Sequence, residues 1–274
     1  MPEAADVTAI RGPLDADAVR RELRRRGSRW ITLEVVSTVE STNAAGLAAA
    51  RDGATQGLVL VAEEQTRGRG RLDRSWVSPR GAGLTLSLLL RPTPPVSTWG
   101  WLPLAAGVAL ATAVRALCDI DVALKWPNDL LLGPEQAKAA GILAESGNGA
   151  VVLGVGVNVS TVRDELPPGA TSLRAQGAPV SREALLVELV HALDLRYAAW
   201  TQAHGDADRS GLLAAYQETC ATLGRVVTVH LPQGEALYGT AVAVDPSGGL
   251  QVRTLDGKLA TVVAADVVHV RRGE

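Results

Sequence analysis

Arg67, Arg69, Arg71, Arg74 and Arg80 fall within residues 65 to 83 together with four glycines, in a chain whose formal net charge is only −2. Guanidinium forks pair with carboxylates and phosphates at any working pH, and glycines let backbone N–H groups come close to a ligand. Such a loop is built to hold anions. Lys125 closes the apolar run Val122-Ala123-Leu124 and leads through Trp126 into Pro127-Asn128-Asp129, so its flanks are buried and its amine is aimed at something. Lys138 precedes the apolar segment Ala139-Ala140-Gly141-Ile142-Leu143. Asp129 reads as a metal ligand, a lysine partner or a turn cap. His191, His204, His230 and His269 show no metal-ligand spacing, and no nucleophilic triad is suggested, so catalysis here would rest on positioned cations. Nucleotide-binding glycine patterns are absent: Gly68-Arg69-Gly70 has Asp73 where a third glycine is needed, and Gly154-Val155-Gly156 also lacks it. An arginine–glycine element that binds RNA remains an alternative, although such elements are usually repetitive and disordered while this one lies between two strand-like runs.

The elements that must position these residues alternate from Trp30 onward. Trp30–Val36 and Gly57–Glu63 read as strands enclosing a helix over Thr42–Arg51, Gly83–Leu90 reads as a strand, and Pro103 opens a helix to about Cys118. Short strands follow at Val122–Trp126, Leu130–Leu132, Ala139–Glu145 and Val151–Val159. Strands in succession with no helix between favour an α+β fold with a mixed or antiparallel sheet and helices packed on one face. Ser181 caps a long helix, Arg182 to about Gln202, and Gly211–Leu223 makes another. After Gly224 only short strands remain, 226–231, 238–244, 250–254, 259–263 and 267–270, with turns at Pro232-Gln233-Gly234, 245–249 and Asp256-Gly257, which suggests a small SH3-like barrel. The expected division is 1–29 as an extension with one short helix, 30–223 as the main domain and 224–274 as the barrel.

Composition narrows the function classes. A pI near 6.1 removes the global basic field of a dedicated nucleic-acid binder, so positive charge matters only where it is local. The helix over Leu14–Gly27 carries Arg20, Arg21, Arg24, Arg25 and Arg26, read as a solvated face, and a winged helix-turn-helix does not fit before Trp30; no DNA is expected as a partner. Cys118 and Cys220 read as free thiols of a reducing compartment, no signal peptide opens the chain, and no apolar run reaches the roughly 20 residues of a membrane span. A cytoplasmic protein is expected.

The ordered series Ser41-Thr42-Asn43, Gly68-Arg69-Gly70-Arg71 with Arg74 and Trp76, Lys125-Trp126-Pro127-Asn128-Asp129, Lys138-x-x-Gly141-Ile142-Leu143 and Gly154-x-Gly156-x-Asn158 resembles the biotin–protein ligases in order, spacing and content. The resemblance covers about Trp30 to Asn158 strongly and extends to the C-terminal region. It implies a sheet-and-helix domain related to class II aminoacyl-tRNA synthetases, an SH3-like tail, and a monofunctional ligase without a DNA-binding module. It also implies biotin as substrate, ATP and Mg²⁺ as cofactors, formation of biotinyl-5′-AMP, and transfer to a lysine of a biotin carboxyl carrier domain of acyl-CoA carboxylases or pyruvate carboxylase. Carried onto this chain, Ser41, Thr42, Asn43 and Gln65 hold the ureido end of biotin, with Gly141 beside it, and Arg69, Gly70 and Arg71 wrap its tail. Lys138 neutralises the carboxylate and the transferring phosphate. Gly68, Arg69, Arg71, Arg74, Trp76, Asn128, Lys138 and Asn158 serve the nucleotide, Asp129 serves Mg²⁺ or the acceptor amine, Lys125 organises the same cluster, and Lys138, Arg71, Lys125 and Asp129 are the catalytic candidates. Leu72 and Asp73 depart from the family pattern in the loop, Ala139 stands for a common leucine, and Arg271 is the candidate for a C-terminal arginine approaching ATP. A lipoate–protein ligase shares the fold and adenylate chemistry, and a noncatalytic biotin-responsive regulator is a further alternative.

Overall fold

The computed structural model describes residues 11–72, 74–231, 235–263 and 266–269; the turn expected at Pro232-Gln233-Gly234, Asp73 and Arg271 lie outside them. In chain order the elements are α1 (Ala16–Arg25), β1 (Thr32–Val36), α2 (Thr42–Arg51), β2 (Leu58–Ala62), β3 (Gly83–Leu90), α3 (Trp101–Leu117), β4 (Val122–Lys125), β5 (Asp129–Leu132), β6 (Ala137–Gly147), β7 (Ala150–Asn158), α4 (Arg182–Gln202) and α5 (Leu212–Thr219), then β8 (Val226–His230), β9 (Ala236–Val244), β10 (Leu250–Thr254), β11 (Leu259–Val262) and β12 (Asp266–His269). The first seven strands form one sheet in the order β1-β2-β3-β7-β6-β5-β4, and the last five an antiparallel sheet in the order β11-β10-β9-β8-β12. β1 and β2 pair in parallel across α2 while the remaining pairs of the large sheet are antiparallel, so the sheet is mixed as expected.

Helices cover both faces of the large sheet, which corrects the one-face expectation. Side chains alternate along a strand, and β3 and β7 are apolar on both sides. Leu84, Leu86, Leu88 and Leu90 of β3 and Val151, Leu153, Val155 and Val157 of β7 enter the main core with α1, α3 and α4. The opposite parity, Leu89 and Val152 with Leu58, Ala150 and Ala50, makes a second, smaller cluster under α2. That second cluster covers only one end of its face. Beyond it the same parity runs through Thr85 and Ser87 on β3 and Gly154 and Gly156 on β7, and there Thr85 and the two glycines line an open cleft.

Two helix ends differ from expectation. α3 begins at Trp101, not Pro103; a proline in the first turn lacks only an N–H that would have no intrahelical acceptor, and Trp101 is held by its indole N–H donating to Pro246 O at 2.9 Å. α5 stops at Thr219, short of Leu223, because the following residues are taken by the edge of the sheet: Ala221 N donates to Leu124 O at 2.8 Å, and Cys220 bridges Leu124 in parallel fashion. An otherwise open edge strand is thereby covered. Both cysteines are free. The arginine-rich α1 spends much of its charge on neighbours, with Arg20 on Asp17, Arg25 and Arg26 on Glu22, and Arg26 also on Glu188 of α4 at 2.7 Å. No helix among the described residues is long and apolar enough to cross a membrane.

Candidate active site

The part of the sheet face that lines the cleft is walled by two segments. Ser41 caps α2, its side chain accepting from Ala44 N, so the first turn of the helix presents Ser41, Thr42 and Asn43 toward the sheet. All three are nearly fully buried. Gln65, just past β2, fixes this turn by accepting from Thr42 N at 2.8 Å and from Thr42 Oγ1 at 3.0 Å. From the sheet, Ser87 Oγ lies 2.8 Å from Thr42 Oγ1 and 2.6 Å from Asn43 Oδ1.

The arginine loop forms the second wall, folded as a small hairpin. Arg69 and Ser75 bridge in antiparallel fashion, Trp76 N donates to Gly68 O at 2.9 Å, and Gly70 N to Arg74 O at 2.6 Å. Leu72 at its tip takes φ 52, a left-handed conformation uncommon for a residue other than glycine, at one of the positions where this chain departs from the family pattern. The five arginines separate by role. Arg67 and Arg80 lie at the loop's base, near Glu40 (3.7 Å) and Glu64 (3.3 Å), while Arg69, Arg71 and Arg74 face the cleft. Trp76 turns back onto the sheet over its two glycines. A β-carbon at Gly156 would stand 2.5 Å from the indole, and one at Gly141 3.5 Å from it. The glycines of β6 and β7 therefore make room for this ring.

Lys138 enters from a β-bulge. Leu130 pairs with Ala140 but Leu131 with Lys138, so Ala139 is the extra residue that bends β6 and re-aims the lysine into the cleft. Its Nζ lies 2.6 Å from Asp129 Oδ1. Asn128 is held by mutual backbone and side-chain bonds with Ile142 (2.9 and 3.1 Å), and Arg71 Nη1 reaches its Oδ1 at 3.5 Å. The result is an open cleft of about 840 Å³. Its lining combines neutral hydrogen-bonding groups, Ser41, Thr42, Asn43 and Gln65, with the cations Arg69, Arg71, Arg74 and Lys138 and the single carboxylate Asp129. Gly70, Trp76, Asn128 and Gly141 complete the expected residues that line it.

Three expected residues stand elsewhere. Lys125 does not line this cleft; it faces an adjoining space of about 1530 Å³ between the two sheets, whose walls also include Asp129, Lys138, Arg225 and His269. Asn158 is buried and donates to Thr171 O at 3.0 Å, tying β7 to the following segment. Gly68 is spent on the hairpin, where a β-carbon would collide with Trp76 O. Sequence reasoning missed Ser87 and Glu145. The alternation Leu-Thr-Leu-Ser-Leu in β3 was the available signal for Ser87, since polar residues at every second position of an otherwise apolar strand mark a face with work to do. Asp129, the expected metal ligand, is engaged with Lys138, and no group of three His, Cys, Asp or Glu side chains suited to a metal ion occurs among the described residues.

A site that combines neutral polar groups with four cations suits a ligand with a polar head and an acid tail brought against a phosphate. The biotin/lipoate A/B protein ligase family pattern matches residues 36–161, and that of the biotin protein ligase C-terminal domain matches residues 222–270. The biotin–[acetyl-CoA-carboxylase] ligase of Mycobacterium tuberculosis is 41% identical over 97% of this chain and 99% of its own length. That of Paracoccus denitrificans is 34% identical over 85% of this chain and 98% of its own. Among solved structures, a biotin protein ligase from Aquifex aeolicus in complex with biotin and ATP superimposes with a TM-score of 0.73 at 25% identity, covering 87% of this chain and 99% of that one. The chain belongs to the biotin–protein ligase family. Similarity along nearly the whole chain sets the RNA-binding and lipoate readings aside.

Proposed function

We propose that this cleft performs both half-reactions of ATP-dependent protein biotinylation. In the first, a carboxylate oxygen of biotin attacks the α-phosphorus of ATP, the bond to the bridging oxygen of pyrophosphate breaks, and biotinyl-5′-AMP remains. In the second, the amine of an acceptor lysine attacks the biotinyl carbonyl, loses a proton and expels AMP. The barrier in the first step is the approach of two anions, and preorganised positive charge in a partly dry site is the direct remedy. Lys138, Arg69 and Arg71 line the same cleft as Ser41, Thr42, Asn43 and Gln65, and that shared lining is the observation that supports the reading. Ser41, Thr42, Asn43 and Gln65 receive the ureido ring, Arg74 the phosphates and Trp76 the nucleotide side. Asp129 holds Lys138 in place. Mg²⁺ supplies further charge neutralisation when bound to the triphosphate, and Asp129 is the protein carboxylate that would hold it; one engaged carboxylate suits an ion that arrives with its phosphates.

The chain divides on this reading into an extension over 1–29, a catalytic domain over 30–223 and a C-terminal domain over 224–274. The acceptor is the biotin carboxyl carrier domain of an acyl-CoA carboxylase or of pyruvate carboxylase. The decisive measurement is biotin-dependent exchange of labelled pyrophosphate into ATP, followed by transfer of label from biotin to an isolated carrier domain. Exchange without biotin, or none with it, overturns the activation step; exchange without transfer to either carrier overturns the acceptor.

A further inference from the structure

Glu145 does not line the cleft but stands at its edge, on the same face of β6 as the lining residues Gly141 and Leu143. On β6, residues 141, 143 and 145 share one parity and lie opposite Gly156, Gly154 and Val152 of β7. The first two of these glycine-rich rungs form the floor under Trp76 and Asn43; a β-carbon at Gly154 would collide with Asn43 Oδ1. At the third rung the Glu145 carboxylate rises between the two walls. Its Oε2 accepts from Asn43 Nδ2 at 2.8 Å, and its Oε1 lies 3.3 Å from Arg69 Nη1. One side chain thus joins the cap of α2 to the arginine loop.

The consequence for Asn43 is a fixed orientation. Both hydrogens of its Nδ2 are used, one on Leu143 O at 3.1 Å and one on Glu145, so the amide cannot turn over without placing its oxygen against two acceptors. Its Oδ1 takes Ser87 and lies over Gly154, and the residue lines the cleft with no amide hydrogen left to give. Asn43 can therefore only accept from a ligand.

We infer that Glu145 is a positioning and specificity residue: it locks Asn43 as an acceptor for a ureido N–H of biotin and tethers Arg69 of the loop over the same ligand. The inference rests on the biotin reading above. In this role the charge is essential to Arg69 and the acceptor oxygen is essential to Asn43, so two substitutions separate the functions. Glu145→Gln keeps an oxygen toward Asn43 and loses the charge; KM for biotin is expected to rise about twofold to fivefold, the scale of a partly exposed ion pair. Glu145→Ala loses both and frees Asn43 to turn over; KM for biotin is expected to rise about 10-fold to 100-fold, the scale of a hydrogen bond to a charged group. KM for ATP should rise less than KM for biotin in both.

Selectivity supplies a readout that a merely structural role does not move. Preference for biotin over a ureido-N-methyl analogue, which cannot donate at the blocked nitrogen, should narrow about tenfold in Glu145→Ala. In an Asn43→Ala background the same substitution should add little beyond the Arg69 effect, about fivefold at most. A KM for biotin within twofold of the parent in Glu145→Ala, an equal rise in KM for ATP, or unchanged selectivity overturns the inference. Parent enzyme that fails biotin-dependent pyrophosphate exchange overturns the biotin reading instead, so the two failures are distinguishable.

Discussion

Lys138 is the residue on which most of the chemistry converges, and its position depends on two local features. The bulge at Ala139 turns it into the cleft, and Asp129 at 2.6 Å holds the amine there. Its charge is needed most while carboxylate and α-phosphate are forced together and least when a neutral amine attacks the finished adenylate. Lys138→Ala should therefore slow pyrophosphate exchange by on the order of 10²–10³, the usual cost of one preorganised electrostatic group, while transfer from supplied biotinyl-5′-AMP falls much less. Lys138→Arg should not restore full exchange, because a planar fork does not replace a compact ammonium in a tight site. If transfer from the supplied adenylate falls as severely as the complete reaction, the assignment of Lys138 to activation is wrong.

Among the elements, the hairpin around residues 67 to 80 is the wall that brings Arg69, Arg71 and Arg74 to the cleft. Leu72 and Val77 are exposed, and of its arginines Arg67, Arg69 and Arg80 lean on Glu40, Glu145 and Glu64. On the reading proposed above, Arg69 and Arg71 gain contacts when biotin and the nucleotide bind, and those contacts order the hairpin. Trypsin cleavage after Arg67 to Arg80 should slow on adding biotin with MgATP, relative to either buffer or ADP alone. Cleavage at the same rate under all conditions counts against a loop that closes on its ligand.

At the scale of the whole molecule, the C-terminal sheet is tied to the catalytic segment by polar contacts to Trp126 and its neighbours. Trp126 Nε1 donates to Gly248 O at 3.1 Å, its backbone N–H donates to Thr222 Oγ1 at 2.9 Å, and the same hydroxyl lies 3.0 Å from His269 Nε2. Burial, then the nearby charges of Lys125 and Arg225, push the His269 imidazole down to about 4. In the unfolded chain a histidine takes its proton near 6.5, so between about pH 6.5 and 4 the unfolded state binds more protons than the folded one. Stability that His269 contributes above pH 6.5 is therefore lost as the pH falls toward 4. His269→Asn should melt lower than the parent at neutral pH but lose less Tm across that acid window. Parallel Tm curves for the two proteins would remove His269 from the acid response.

Much of this molecule follows from local rules. Periodicity located α2 and β3 to the residue, Ser181 was visible as a cap, and the ordered motifs named most of the cleft because residue types and spacing along a loop or strand travel with the sequence. What depended on distant parts of the chain was not visible. The face chosen by α2, the early end of α5 against Leu124, and the displacement of Lys125 into the space between the sheets are set by which surfaces meet, and no local pattern records that. The same reason hid Glu145. Its sequence neighbours mark it only as a polar residue on a strand, and its role exists because Asn43, 102 residues earlier, and Arg69 of the loop converge on one carboxylate.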